Sequence, residues 1–319
     1  MKSDLTEQIK ARALGLGFCK VGIAPAGALA PEGARLQEWL AHGYHGTMDW
    51  MARNADRRGD PREILPGARS VLSVAMNYYT EGRHSDDPDA GKISRYAWGD
   101  DYHDIVKPKL LELLAYIQTN VPGTEGVVYV DTGPVLEKAW AARAGIGWEG
   151  KHTNVITQEF GSWVFLGEII LSIELDYDAP ATDHCGTCTL CIEACPTDAI
   201  VEPYVLDSNL CISYLTIEHR GEIAAGLGEK FDRWIYGCDI CQDVCPWNEK
   251  FSIITSAGGF APRAATIAPE LNHVAEMQQD EFSRTFSKSP VKRTKLSGLR
   301  RNAATVLAAR HAADEQKES

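Results

Sequence analysis

Eight of the nine cysteines, seven of them in two spaced runs, suit iron–sulfur chemistry. Cys185, Cys188, Cys191 and Cys195 form C-x-x-C-x-x-C-x-x-x-C, followed by Pro196, and a shorter copy comes later at Cys238, Cys241, Cys245 and Pro246. Two-residue spacers let three thiolates wrap one corner of a cubane, and the proline turns the chain away afterwards. In two-cluster proteins the last cysteine of each run ligates the cluster of the other run. The second run lacks a cysteine three residues before Cys238, where Ile235 stands, and Cys211 is the spare thiol in this half. The expected sets are therefore Cys185, Cys188, Cys191 and Cys245 for one 4Fe–4S cluster, and Cys195, Cys211, Cys238 and Cys241 for the other. A zinc ribbon wants two CxxC pairs about 15–20 residues apart. Cys191 and Cys238 are 47 positions apart. Cys19, alone near the N-terminus, reads as a buried core thiol.

Asp131 is the next residue that could do chemistry. It ends an apolar run, Val127 to Val130, and precedes a helix, a place where α/β sheets expose catalytic groups. It could equally be a turn aspartate capping that helix. Asp131-Thr132-Gly133 has the letters of an aspartic protease, but those enzymes need two carboxylates sharing a proton, and no second copy exists. Gly145-Ile-Gly147-Trp-Glu-Gly150 matches G-x-G-x-x-G, yet it comes after a helix instead of a strand, so it is not a dinucleotide fingerprint. These glycines suit a helix C-cap and a tight loop able to approach a large cofactor. Asp101-Tyr102-His103 starts like the D-x-H-x-x-G element that gives a histidine to cobalt in some cobalamin enzymes, but Val106 occupies its glycine position.

Helices and strands must position these residues. Leu5–Leu16, Arg35–His42, Met48–Asn54 and much of Asp101–Asn120 have helical patterns, the last started or kinked by Pro108. Pro134 suits the first turn of a helix reaching Ala144. Val21–Ala24, Ser70–Tyr78, Val127–Val130, Asn154–Thr157 and Ser162–Ile173 read as strands, the last two paired around Phe160-Gly161. Alternating strands and helices over the first 175 or so residues indicate an α/β or α+β core. A boundary is expected in Asp176–Asp183, giving units at 1–177, 178–260 and 261–319, the last a basic helical tail.

The chain has 319 residues with 32 basic and 44 acidic side chains, a net charge of −12, which argues against indiscriminate nucleic-acid binding. From Phe282 to Ala313, however, eight basic residues stand without one acid. That segment is either a polyanion contact or a solvated helix face. No stretch has the apolar length of a membrane span. The N-terminus lacks an apolar signal region, so a cytoplasmic protein without a membrane partner is expected.

Taken together, Arg95-Tyr96-Ala97-Trp98-Gly99, Asp101-Tyr102-His103, Asp131-Thr132-Gly133, Arg143-Ala-Gly-Ile-Gly147, the eight cysteines, Tyr236-Gly237-Cys238-Asp239 and Val244-Cys245-Pro246-Trp247-Asn248 resemble the epoxyqueuosine reductases over residues 1 to 310. The resemblance implies an N-terminal cobalamin-binding domain like that of reductive dehalogenases, with base-off cobalamin between it and a ferredoxin-like two-cluster domain. The missing D-x-H-x-x-G agrees with cobalt lacking a protein histidine. The resemblance further implies reduction of epoxyqueuosine to queuosine at the tRNA wobble position, with two electrons, two protons and Asp131 as proton donor. Desolvation beside the corrin would raise the pKa of that carboxyl, as general-acid work requires. By position, the implied cobalamin contacts are Arg58, Ser94, Asp131, Val155, Leu166, Ser213 and Asp239. Ser213 and Asp239 flank the Cys195/Cys211/Cys238/Cys241 set, so that cluster is expected beside cobalamin and the other towards an external low-potential donor. The basic segment gains a use in tRNA phosphate contact, with Lys292, Arg293, Arg300 and Arg301 as candidates, on a protein expected to be a monomer. Two other classes share parts of this signature, a reductive dehalogenase acting on small organohalides and a two-cluster electron carrier.

Overall fold

The computed structural model describes residues 2–224 and 226–318. Its centre is a four-stranded sheet built from β1 (Lys20–Pro25), β2 (Ser70–Asn77), β3 (Gly126–Tyr129) and β4 (Val164–Leu171), in the spatial order β1-β2-β4-β3. Every neighbouring pair is antiparallel. The core is therefore α+β, since helices inserted between antiparallel strands do not make the right-handed parallel crossovers of a doubly wound sheet.

The sheet is covered on both faces, which explains why β2 is buried along its whole length. On one face Leu72, Val74, Phe165 and Ile169 pack with α1 (Lys2–Gly15) and α3 (Tyr102–Asn120) through Ile9, Leu110 and Leu113. On the other, Val71, Ala75 and Ile170 meet Leu29, just before α2 (Ala30–Ala41), and α4 (Glu137–Arg143) through Trp140 and Ala141. Pro108 lies inside α3 and does not start it; Asp101 caps that helix by accepting the His103 N–H at 3.0 Å. Helix α4 begins at Glu137, three residues after Pro134, so Asp131–Leu136 is an irregular loop where a helical turn was expected.

The Asn154–Thr157 run forms Val155–Ile156, whose partner is Trp148–Glu149, while its expected pairing with the next run shrinks to one bridge, Thr157 to Gly161. Gly147 allows this: a Cβ there would lie 2.2 Å from the Ile156 carbonyl oxygen. The close approach these glycines permit is thus to the chain itself. Gly145, at φ +75, faces the Ala179 carbonyl in the same way.

The cysteine runs sit on two short helices, α5 (Leu190–Glu193) and α7 (Ile240–Asp243), packed on each other. Cys211 precedes α6 (Ile212–Ile217), and Pro246 opens α8 (Pro246–Phe251). The chain beyond residue 260 is no loose tail. The helices α9 (Leu271–Glu276), α10 (Gln279–Thr285) and α11 (Lys295–Glu318) share one apolar core with Ile93, Trp98, Leu215, Phe231, Trp234 and Tyr236. The expected division at residue 261 therefore runs through a packed core. Asn302 fixes it, donating from one buried amide to the carbonyls of Thr216 and Ile235, each at 2.8 Å.

Candidate functional site

Several of the cysteines lie near one another. Burial, then the neighbouring Cys185, Cys245 and Cys188, push the Cys191 thiol up to about 11. Cys241, pushed up by burial, has Cys211, Cys191 and Cys195 among its neighbours, and Cys238 has Cys241 and Cys211. Cys191 thus lies near Cys185, Cys188 and Cys245, while Cys211, Cys238 and Cys241 neighbour one another. Such groupings fit iron–sulfur clusters, whose iron takes thiolate ligands. Among the described residues no three His, Cys, Asp or Glu side chains converge on a single-ion site. Cys19 is apart from both sets; its thiol points at the Ala75 carbonyl, 3.2 Å away, and burial raises it to about 11.

The end of the sheet that carries Asp131 abuts this cysteine-bearing lobe. Asn248, two residues after Pro246, accepts the Ser162 N–H at 2.6 Å and donates to the Ser162 hydroxyl and the Gln242 carbonyl. Asn77, at the end of β2, donates to the Ile253 carbonyl at 2.6 Å. These bonds cross from the sheet to the lobe and fix its distance from β3 and β4.

Asp131 itself stands just beyond β3 with φ +58, a conformation that costs a non-glycine residue about 1–3 kcal/mol. Two contacts hold it. Its N–H donates to Glu137 Oε1 at 2.6 Å, and its Oδ2 accepts the Tyr102 hydroxyl at 2.7 Å. His103 Nε2 lies 3.8 Å from the same oxygen, and His103 Nδ1 is 2.8 Å from Asp101 Oδ1. Burial alone would lower the His103 pKa, but the Asp101 and Asp131 carboxylates reverse this and raise it. The Asp131 side chain is 63% exposed, so the desolvation expected around it is absent from the protein alone. It is also not a helix cap, because Leu136 occupies that position.

Arg58 is buried beside the loop, donating to the Gly133 carbonyl at 3.2 Å. Burial lowers its pKa and the charges of Glu137 and Asp131 oppose the shift. Its Nε has no hydrogen-bond partner, and neither has His103 Nε2. Such buried orphans are costly without a ligand or water to meet them. Val155 is buried and Leu166 half-buried on the α4 face of the sheet, offering apolar surface only. Ser213 is half-buried in the first turn of α6. Ser94 and Asp239 are spent on each other: the Ser94 hydroxyl donates to Asp239 Oδ1 at 2.5 Å and the Arg95 N–H to Oδ2 at 2.7 Å. Their side chains bind the Arg95 segment to α7, so only backbone remains for a ligand.

The basic candidates differ among themselves. Every guanidinium nitrogen of Arg301 is engaged, with the carbonyls of Leu215, His219 and Gly221 and with Asn302 Oδ1. Arg300 donates to the Ala275 carbonyl. Arg293 pairs with Glu218 and lies over the Trp50 ring, 5.5 Å from its centroid, with Asp131 near enough to add to the rise in its pKa that Glu218 causes. Lys292 is exposed. Thus Arg301 is a structural residue, its cost of removal lying in the core. Glu137 and Glu168 are the site residues that sequence reasoning did not single out, while Tyr102 and His103 were noted without a role at Asp131. A lone acid inside the apolar strand Val-Phe-Leu-Gly-Glu-Ile-Ile-Leu was the available signal for Glu168.

Comparison with known proteins decides the family. Residues 58–132 match the model "Epoxyqueuosine reductase QueG, DUF1730" and residues 184–248 match the "4Fe-4S double cluster binding domain". An epoxyqueuosine reductase of Synechocystis is 50% identical over 290 residues, 90% of this chain and 100% of that protein. This chain belongs to the epoxyqueuosine reductase family. It is accordingly an oxidoreductase with a double 4Fe–4S domain. The reductase of Cellulophaga algicola is 47% identical, with 94% and 97% of the two chains covered. A crystal structure of an epoxyqueuosine reductase with an epoxyqueuosine-modified tRNA-Tyr stem loop superposes at a TM-score of 0.88 and 31% identity, covering 96% of this chain and 81% of that one. The Bacillus subtilis reductase, also at 0.88, is known with its catalytic aspartate loop swung out of the active site. Among the described residues no helix is long and apolar enough to cross a membrane.

Proposed function

We propose that this enzyme reduces epoxyqueuosine to queuosine in the wobble position of tRNA, with Asp131 as the proton donor. The observation that carries the reading is the exposed Asp131 carboxyl, held by Tyr102 and flanked by His103, at the sheet end that meets the cysteine lobe. The reaction breaks two C–O bonds of the epoxide and consumes two electrons and two protons, leaving an alkene and water. Base-off cobalamin, when bound, supplies a reductant able to deliver two electrons at one atom, which clusters passing single electrons do not. Arg58 would hold it with the free Nε, Val155 and Leu166 with apolar surface, and Ser213 and the backbone at Ser94 and Asp239 from the lobe side. Cofactor and substrate together would cover Asp131, and loss of water around a carboxyl favours its protonated form. Asp131 then gives its proton to the departing oxygen. Tyr102 keeps the carboxyl oriented, and His103, drawn upward by Asp101, keeps a proton close by.

The two 4Fe–4S sets serve as the electron route. The Cys195/Cys211/Cys238/Cys241 set would lie on the cobalamin side and the Cys185/Cys188/Cys191/Cys245 set towards an external low-potential donor. Lys292 and Arg293 are the candidates for tRNA phosphate contact, and the enzyme would act as a cytoplasmic monomer. Asp131→Asn is the direct test. It should bind cobalamin as the parent does and lose turnover by at least about 100-fold. Activity within a few-fold of the parent would remove Asp131 from this role.

A further inference from the structure

Behind Asp131 lie two more carboxyl groups. Glu168 sits in the middle of β4, opposite Ser73 of β2 and Tyr129 of β3. It is fully buried, neither of its carboxyl oxygens has a hydrogen-bond partner, and the buried Ser73 hydroxyl beside it has none either. Glu137 opens α4, packs on β4 and is the acceptor of the Asp131 N–H. Burial, then each other's charge or that of Asp131, pushes both carboxyls up, Glu137 to about 7. The other titratable or charged groups facing them are Asp131, Tyr102, His103 and Arg58. Arg58 gives neither carboxyl a hydrogen bond, its donated bond going to Gly133.

Glu168 is fully buried and Glu137 half-buried, and two adjacent acids so placed without a paired cation do not both ionise, so they share one proton. An anion accepts an N–H more strongly than a neutral acid does. The proton therefore belongs on Glu168 and the charge on Glu137, which grips the backbone of Asp131 at its positive φ. Resting on the reading that Asp131 is the proton donor, we infer that Glu137 and Glu168 form a shared-proton latch that holds the Asp131 loop in its working position. Glu137 is a positioning residue here: it touches the backbone of Asp131, not the substrate. Removing the shared proton at high pH would place two anions side by side, drive Glu137 off the Asp131 N–H and free the loop.

The test compares Glu137→Ala, Glu137→Gln, Glu168→Gln and Asp131→Asn, each checked for iron and bound cobalamin. Amide hydrogen exchange over residues 129–135 is measured in each beside steady-state kinetics. Glu137→Ala should exchange this segment at least about 10-fold faster and lose kcat about 10-fold or more with little change in KM. Glu137→Gln, which keeps an acceptor oxygen, should recover most of both. In Glu168→Gln the alkaline fall of kcat should move to higher pH. Parent-like exchange and kcat in Glu137→Ala, with Asp131→Asn inactive, would overturn the latch and leave the Asp131 reading intact. An active Asp131→Asn would overturn that reading, and the latch with it. Should Glu137→Ala fail to fold, an alkaline limb unmoved in Glu168→Gln and parent-like exchange in Glu137→Gln at high pH would overturn the latch.

Discussion

At the scale of single residues, the site consists of acids placed in unlike surroundings. Asp131 is exposed, Glu137 half-buried and Glu168 fully buried. Burial and neighbouring charge raise Glu137 from the ordinary carboxylate range to about 7. The Glu137–Glu168 pair, with its retained proton on Glu168, binds more protons in the folded than in the unfolded chain, so its stabilising contribution is complete below the ordinary glutamate range and lost as pH rises and that proton leaves. Urea midpoints should therefore fall between pH 5 and pH 8, and Glu168→Gln, which removes the like charge, should flatten that fall. An equal slope in parent and variant would mean the two acids do not interact. Residue-level chemistry was readable in sequence where it is local. Seven cysteines declare themselves by spacing, and Cys211 joins them as the spare thiol. Asp131 declares itself by its place after an apolar run. Glu137 and Glu168 did not, because their partnership depends on α4 crossing β4, a contact between residues 31 positions apart.

At the scale of elements, short helices with strong tertiary anchors do most of the positioning. Helices α5 and α7 have only four residues each and would not persist alone. They are held by packing on each other, by Asn248 and Gln242, and by the long α11 behind α6 and the Trp234–Tyr236 strand. Asn302→Ala removes both donors to the carbonyls of Thr216 and Ile235. It should cost about 2–4 kcal/mol in stability, each unmet buried group costing about 1–3 kcal/mol. Because those carbonyls flank the segments bearing Cys211 and Cys238, iron content should drop towards about half while the Cys185 set stays filled. Full iron content in a destabilised variant would separate the helix from the cluster. Strand positions were well marked in the sequence, since β2 and β4 are apolar runs bounded by turns. The start of α4 was not, because Pro134 is a good first-turn residue and only the strained Asp131 loop displaces the helix to Glu137. The basic run likewise hid its packing: Arg301 reads as a charge but serves as a clasp for three carbonyls.

At the scale of the whole molecule, an acidic body presents a few basic groups near the Asp131 mouth. Neutralising Lys292 and Arg293 should weaken binding of the tRNA stem loop and lower the slope of log affinity against log salt by about 1 to 2, as expected for two lost phosphate contacts. An unchanged slope would assign Arg293 to its Glu218 and Trp50 contacts alone. On the proposed reading, the antiparallel sheet, the double-cluster lobe and the helical C-terminal core would join the 4Fe–4S clusters to the Asp131 loop. The most direct measurement is anaerobic incubation of reconstituted enzyme, cobalamin and a low-potential reductant with epoxyqueuosine-bearing tRNA, then mass analysis of the nucleosides. The parent should convert the modified nucleoside to one lighter by a single oxygen atom, only with cobalamin present and not with Asp131→Asn. Unchanged epoxyqueuosine with enzyme holding about eight iron atoms and bound cobalamin, or conversion that continues without cobalamin, would contradict the account.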